Sequence, residues 1–172
     1  MASESQLTQK QIAQLVLPVL QKEGAVFLKS ARIWAKQAVG GELVVSKVSD
    51  GIETQNTASE GDYIVKNDTE AGEMYVVESG KFLERYEFDE EAEGKFSRYL
   101  PKGRVVAVRM SKSLLERLHL PSEFKFTASW GEPQVSKLGA YLVSPVDYSE
   151  VYRIAAKEFS ETYKLDFDAN ES

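Results

Sequence analysis

The second half of this chain restates the first, and no other feature of the sequence constrains its fold as strongly. Gly61-Asp62-Tyr63-Ile64-Val65 corresponds to Gly139-Ala140-Tyr141-Leu142-Val143. Gly72-Glu73-Met74-Tyr75-Val76-Val77 corresponds to Ser149-Glu150-Val151-Tyr152-Arg153-Ile154, and Lys81-Phe82-Leu83-Glu84-Arg85-Tyr86 to Glu158-Phe159-Ser160-Glu161-Thr162-Tyr163. The spacing between these last two blocks is the same in both halves. Upstream, Arg32-Ile33-Trp34-Ala35 answers Arg104-Val105-Val106-Ala107. The recurring residues turn and pack. Gly61 and Gly139 suit a tight turn feeding a strand, and Phe-x-x-x-Tyr lays two rings on one helical face against a sheet. A stacking platform for nucleobases is the functional alternative for those rings, and it requires them exposed. The pattern predicts an α+β fold of two repeated β-rich units, each ending in a short helix, preceded by an N-terminal helix.

The rest of the chain divides around that repeat. Residues 1–7 are polar and expected to be flexible. Residues 8–24 form a helix, opened by the capping box Thr8-Gln9-Lys10-Gln11, carried by Ile12, Leu15, Val16, Val19 and Leu20, and ended at Gly24. Pro18 should kink or split it. The first unit spans 25–88, with strands over 32–38, 43–48, 52–57, 63–66 and 74–77, turns at Asp50-Gly51 and Glu60-Gly61-Asp62, and a helix capped by Ser79. Residues 89–101 read as an acidic linker. The second unit spans 102–165. It adds a helix over 113–118 with Ser113 and Glu116 as capping box, a strand over 124–128 and a turn at 130–133. Residues 166–172 form an acidic tail expected to fray.

Composition excludes much chemistry. There is no cysteine, which removes thiolate metal sites and cysteine nucleophiles, and one histidine, which removes multi-histidine metal centres. His119 sits at a helix end, where capping or packing outweighs catalysis. No phosphate loop, dinucleotide fingerprint or serine elbow occurs. Asn67-Asp68-Thr69-Glu70 and Asp166-Phe167-Asp168 read as solvated loops, not as calcium loops. No catalytic residue, metal site or cofactor is assigned, and the balance leans away from an enzyme. With 21 Lys+Arg against 27 Asp+Glu the net charge is −6, which speaks against nucleic-acid binding. No apolar run is long enough for a membrane helix, and the first residues lack the order of a secretory signal. A cytoplasmic setting is expected.

The first unit resembles a family of small bacterial and bacteriophage proteins carrying a (Pro)-Gly-Asp-Tyr-Ile-Val-x-Asn, Gly-Glu-x-Tyr, Phe-x-x-x-Tyr-Glu pattern. Those elements read here as Gly61–Asn67, Gly72–Tyr75 and Phe82–Glu87, preceded by Ile33-Trp34-Ala35-Lys36-Gln37; Glu60 stands where the family has proline. The resemblance covers residues 32–88, with a degraded second copy at 104–165. It implies an architecture and a phage or bacterial association, in host cytoplasm or virion, and no catalytic residues.

Arg32, Lys36, Lys66, Arg104, Arg109 and Arg153 are the basic residues set among strand aromatics. Trp34, Asp62, Tyr63, Lys66, Arg104 and Arg153 are the candidate ligand-binding set, lining a cleft between the two units. The leading functional expectation is a non-enzymatic protein-binding or assembly protein engaging a protein partner or its own copies. The second is a domain that binds or hydrolyses a nucleotide-like small anion in that cleft.

Overall fold

The computed structural model describes residues 6–92 and 96–170; residues 1–5, 93–95 and 171–172 of the expected N-terminus, linker and tail lie outside them. Helix α1 (Gln9–Glu23) leads to β1 (Ala25–Lys29), β2 (Ile33–Gln37), β3 (Leu43–Lys47), β4 (Glu53–Thr57), β5 (Tyr63–Asn67), β6 (Met74–Val77), α2 (Ser79–Arg85), β7 (Tyr86–Glu91) and β8 (Ser97–Pro101). Then come β9 (Arg104–Arg109), α3 (Lys112–Arg117), β10 (Glu123–Thr127), β11 (Pro133–Lys137), β12 (Tyr141–Pro145), β13 (Tyr152–Ile154), α4 (Ala156–Thr162), β14 (Tyr163–Leu165) and α5 (Phe167–Asn170). The class is α+β, with a helix at the N-terminus.

Two compact units emerge. Unit 1 comprises Met1–Phe27, Arg104–Phe159 and Leu165–Ser172; unit 2 comprises Leu28–Gly103 and Ser160–Lys164. Against the expected blocks 25–88 and 102–165, the N-terminal helix and the start of β1 join the second block, and β8 and Ser160–Lys164 join the first.

In unit 2 a five-stranded sheet has the order β6-β5-β2-β8-β7, beside the hairpin β3–β4. One face packs Ile33, Ala35, Val65 and Val77 against Phe82 of α2 and Tyr86. Tyr63 stacks on Phe82 at 4.0 Å and Tyr99 meets Phe82 edge-on at 4.8 Å. These rings are core, because the i, i+4 pair Phe82/Tyr86 faces the sheet. The hairpin covers part of the other face, where Ala38, Val44, Ala58 and Ile64 cluster with Met74 and Val76. Gly61, at φ +90°, makes the turn into β5 that only glycine adopts without strain.

Unit 1 is built on the order β13-β12-β9-β1-β14, with the hairpin β10–β11. Tyr141 stacks on Phe159 at 4.0 Å and Phe27 meets Phe159 edge-on at 4.8 Å. The opposite sheet face lies under α1: Ile12, Val16, Val19 and Leu20 pack with Val106, Leu142 and Val151, and with Phe124 and Phe126 of the hairpin. The cap of α1 is as expected, with Thr8 Oγ1 accepting from the Gln11 N–H and Gln11 Oε1 from the Thr8 N–H. Pro18 does not split the helix. The carbonyl that loses its donor there belongs to Gln14, an exposed residue.

Several expectations are corrected. Asp89–Glu91 and Ser97–Pro101 are not linker but the strands of a hairpin, Glu90 opposite Arg98. Charges mark β7 as the protected edge of a sheet, and such an edge imitates a linker in composition. Residues 6 and 7 are tied down, the Leu7 N–H donating to the Lys125 carbonyl and the Thr127 N–H to Leu7. The tail is held as far as Asn170: the Asp166 N–H donates to the Val26 carbonyl, and the Val26 N–H to Asn170 Oδ1. Helix α3 is capped by Ser111, whose Oγ accepts from the Leu114 N–H, two residues ahead of the expected Ser113. Helix α2 starts at Ser79 with Glu78 as its N-cap and no side-chain capping bond. His119 takes φ +56° just past α3, and the Leu120 N–H closes back onto the Leu115 carbonyl, as a left-handed helix terminus requires.

Candidate functional site

The central strands of unit 2 bring two of the candidate residues together. Trp34 on β2 faces Lys66 on β5 on one side and Arg98 on β8 on the other, so the three lie in one row across the sheet. Period-2 alternation puts them on the face opposite Ile33 and Ala35. The Arg98 guanidinium lies 3.9 Å from the centre of the Trp34 ring, and Lys66 Nζ 5.8 Å from it. Along β2, Lys36 Nζ lies 4.9 Å over the Phe96 ring. Arg98 is 7% exposed and Lys66 is exposed. Arg98 Nη2 reaches Asp68 Oδ2 at 3.4 Å, while Nη1 is buried without a hydrogen-bond partner. A buried donor left unmade costs roughly 1–3 kcal/mol, more for a charged group.

The other four candidates lie elsewhere. Asp62 is a turn residue: its Oδ2 accepts from the Ser59 N–H at 2.9 Å and its carbonyl from the Ala38 N–H at 2.7 Å. Tyr63 sits on the core face, against Phe82. Arg104 and Arg153 belong to unit 1. Arg104 Nε pairs with Asp166 Oδ2 at 2.8 Å, and the Arg153 N–H donates to Gln134 Oε1 at 3.0 Å.

Sequence reasoning passed over Arg98 because its segment was read as linker. The signal for a strand there is the pair of β-favouring aromatics Phe96 and Tyr99, followed by Leu100, in a segment free of Gly, Asn and Asp.

A second polar cluster in unit 2 is closed upon itself. Lys29 Nζ donates to Tyr86 Oη, to Tyr75 Oη at 2.9 Å and to Asn67 Oδ1 at 3.3 Å, which uses all three ammonium hydrogens. Burial, and then the neighbouring Tyr86, push the Tyr75 phenol well above its usual range, so it stays neutral. Tyr99 is raised as well, first by burial and then by Tyr63. Among the described residues no group of three or more His, Cys, Asp or Glu is placed to hold a metal, and no helix is long and apolar enough to cross a membrane.

The arrangement around Trp34 can therefore hold an anionic group by cation pairing and stacking. No protein-family model matches this chain, nor does any curated protein or solved structure.

Proposed function

We propose that this is a non-enzymatic binding or assembly protein, built on a duplicated unit and engaging a partner protein through unit 2. One observation carries the reading: the two sheets hold corresponding strands in corresponding places, and most of the recurring residues turn or pack, with Arg32/Arg104, Glu73/Glu150 and Glu84/Glu161 the charged pairs among them. The orders β6-β5-β2-β8-β7 and β13-β12-β9-β1-β14 match position by position. Trp34 faces Lys66 as Val106 faces Ser144, and Val65 faces Tyr75 as Val143 faces Tyr152. In the fourth position each sheet takes the strand that leads into the other block, β8 ahead of β9 and β1 ahead of β2, an exchange of the kind that holds swapped dimers together. Even the rings agree, Tyr63–Phe82–Tyr99 in one unit and Tyr141–Phe159–Phe27 in the other.

Three of the candidate binding residues have no like counterpart in the other copy. Here Asp62 is answered by Ala140, Lys66 by Ser144 and Trp34 by Val106, which supports a scaffold kept in two copies and a surface elaborated in one. The resemblance to small bacterial and phage proteins belongs to the same reading, with action in the cytoplasm or, for a phage protein, in a host or virion.

The test is a protease site placed between Ala92 and Phe96 and cut in the folded chain. The two pieces are expected to stay together through gel filtration, since each supplies a strand to the other's sheet; pieces that part under native conditions overturn the exchanged duplication. The second reading, a small anion or nucleotide as ligand, is favoured by the cations around Trp34. Under it, a nucleotide at 100 times its Kd adds ~2.7 kcal/mol of stability; under the leading reading, nucleotides and inorganic phosphate leave the Tm where it was.

A further inference from the structure

We infer that the face of the unit 2 sheet around Trp34 docks an acidic segment of a partner protein, its carboxylates pairing with Arg98, Lys66 and Lys36. The inference rests on the protein-binding reading above and names the chemistry of the partner.

The corresponding face of unit 1 gives the contrast. There Val106, Leu142 and the half-buried Val26 and Val108 lie under α1, and Ser144 is fully buried. In unit 2 the corresponding positions are Trp34, Ile64, Arg98, Lys36 and Lys66. The apolar cluster on this face is made of strand and turn residues and ends at Ile64. Arg98 and Lys36 replace two valines that elsewhere pack beneath a helix, and Lys66 replaces a fully buried serine.

The charge balance selects an anion. Arg32, next along β2, is already matched, its Nη1 pairing with Asp89 Oδ2 at 2.8 Å and Glu90 Oε1 at 3.1 Å. Arg98 is matched only loosely, by Asp68 at 3.4 Å, since Glu90 opposite it on β7 is taken by Arg32. Lys36 lies over the Phe96 ring with Glu42 within electrostatic reach, and Lys66 lies over Trp34. A carboxylate arriving at Arg98 Nη1 satisfies the buried donor that the fold leaves unmade, and guanidinium–carboxylate pairs are among the stronger hydrogen bonds available. Trp34 lies against that guanidinium and must shift to admit the carboxylate, which makes its indole a reporter of docking. A cationic face on a chain of net charge −6 also discriminates, because the remaining acidic surface repels an acidic partner from every other approach.

A peptide fits this face better than a polyphosphate. Phosphates are usually cradled by free backbone N–H groups at loops and helix starts. Here β2, β5 and β8 are inner strands with neighbours on both sides, their N–H groups engaged in the ladders, so recognition falls to side chains spaced along a flat surface.

The experiment uses the full chain with Trp130→Phe, which leaves Trp34 as its one indole. It is titrated with octaglutamate, octalysine, ATP and octauridylate while emission is followed. Octaglutamate is expected to give a saturable change that weakens with added salt, and the other three none. Lys36→Gln with Lys66→Gln is expected to weaken binding at least tenfold while leaving the Tm in place; Arg98→Lys keeps the charge but loses the fork, and should weaken it too. No response to octaglutamate, a response indifferent to the lysine substitutions, or a response confined to ATP or octauridylate overturns the inference. A flat titration leaves the cut-chain result untouched, and separation of the cut pieces leaves the titration untouched, so the two failures are told apart.

Discussion

The two five-stranded sheets share an order and a register, yet one carries a helix on its outer face and the other a row of cations beside a tryptophan. Unit 1 seals Val106 and Leu142 beneath α1, and its hairpin contributes Phe124 and Phe126 to the same cluster. Unit 2 places Val44 and Ser46 at the corresponding hairpin positions, and the Ser46 hydroxyl accepts from the Met74 N–H at 2.9 Å. Small inward residues let that hairpin close on β6; the unit 1 hairpin also meets β13, where the Arg153 N–H donates to Gln134, but its larger rings pack with α1 as well. The difference teaches that the ring-packed face defines the unit, while the opposite face is free to change.

The most direct way to break the comparison is to remove the central ring of each unit. Phe82→Ala and Phe159→Ala, at 0% and 3% exposure, should each cost ~3–5 kcal/mol in denaturant unfolding. A large loss at one site and a negligible one at the other would mean that the rings are not counterparts.

Exchanging the outer-face residues sharpens it. Val106→Trp should cost ~1–3 kcal/mol or more, because a Cβ on Gly24 would already sit 2.7 Å from the Val106 side chain, leaving no room for an indole. Trp34→Val should be milder, since an edge of Trp34 meets solvent. Equal losses in thermal melts would contradict a sealed face in one unit and an open one in the other.

Caps give a smaller contrast. Thr8→Ala and Ser111→Ala each delete a side-chain cap and should cost ~1 kcal/mol. Ser79→Ala in α2 should change stability by no more than ~0.5 kcal/mol, because no capping bond is lost there.

The smallest effect is in acid. The Arg117 guanidinium bonded to Glu23 in unit 1 holds that carboxyl below the usual glutamate range. A depressed folded value means that stability is present above the unfolded value and is lost as pH falls through the folded one. Melts of wild type and Glu23→Gln should therefore converge as pH drops below the ordinary glutamate range. A gap that widens there would reverse the sign.

Much of this was legible from residues alone. The repeated blocks located β2, β5, β6 and α2 and their counterparts, because Gly-x-Tyr and Phe-x-x-x-Tyr encode a local turn and a helical face. Of the six candidate residues, the register makes Trp34 and Lys66 cross-strand neighbours, while Asp62, Tyr63, Arg104 and Arg153 lie elsewhere. Arg98 was missed for a physical reason: an edge strand such as β7 carries Glu87, Asp89, Glu90 and Glu91 to stay soluble, and solvated acids read the same in a strand as in a linker. The partners of β1 and β8 were also out of reach, since alternation specifies a strand without specifying what it pairs with. Tyr63 was assigned to the binding set, although its neighbour in space, Phe82, lies on the core side.

The order in which the strands are made sets a timetable for synthesis. Unit 2 gains β8, the last strand its sheet needs, as residue 101 emerges. Helix α1 is made first but gains a sheet to lie on only when β9 begins at Arg104, 81 residues after α1 ends at Glu23. At ~5–20 residues per second that wait is roughly 4–16 s. For that interval the stripe Ile12, Val16, Val19 and Leu20 has no completed core to enter, so the oldest helix of the chain is among its last to be buried. A ribosome stalled between residues 30 and 100 would hold out an apolar helix, the natural substrate of a chaperone.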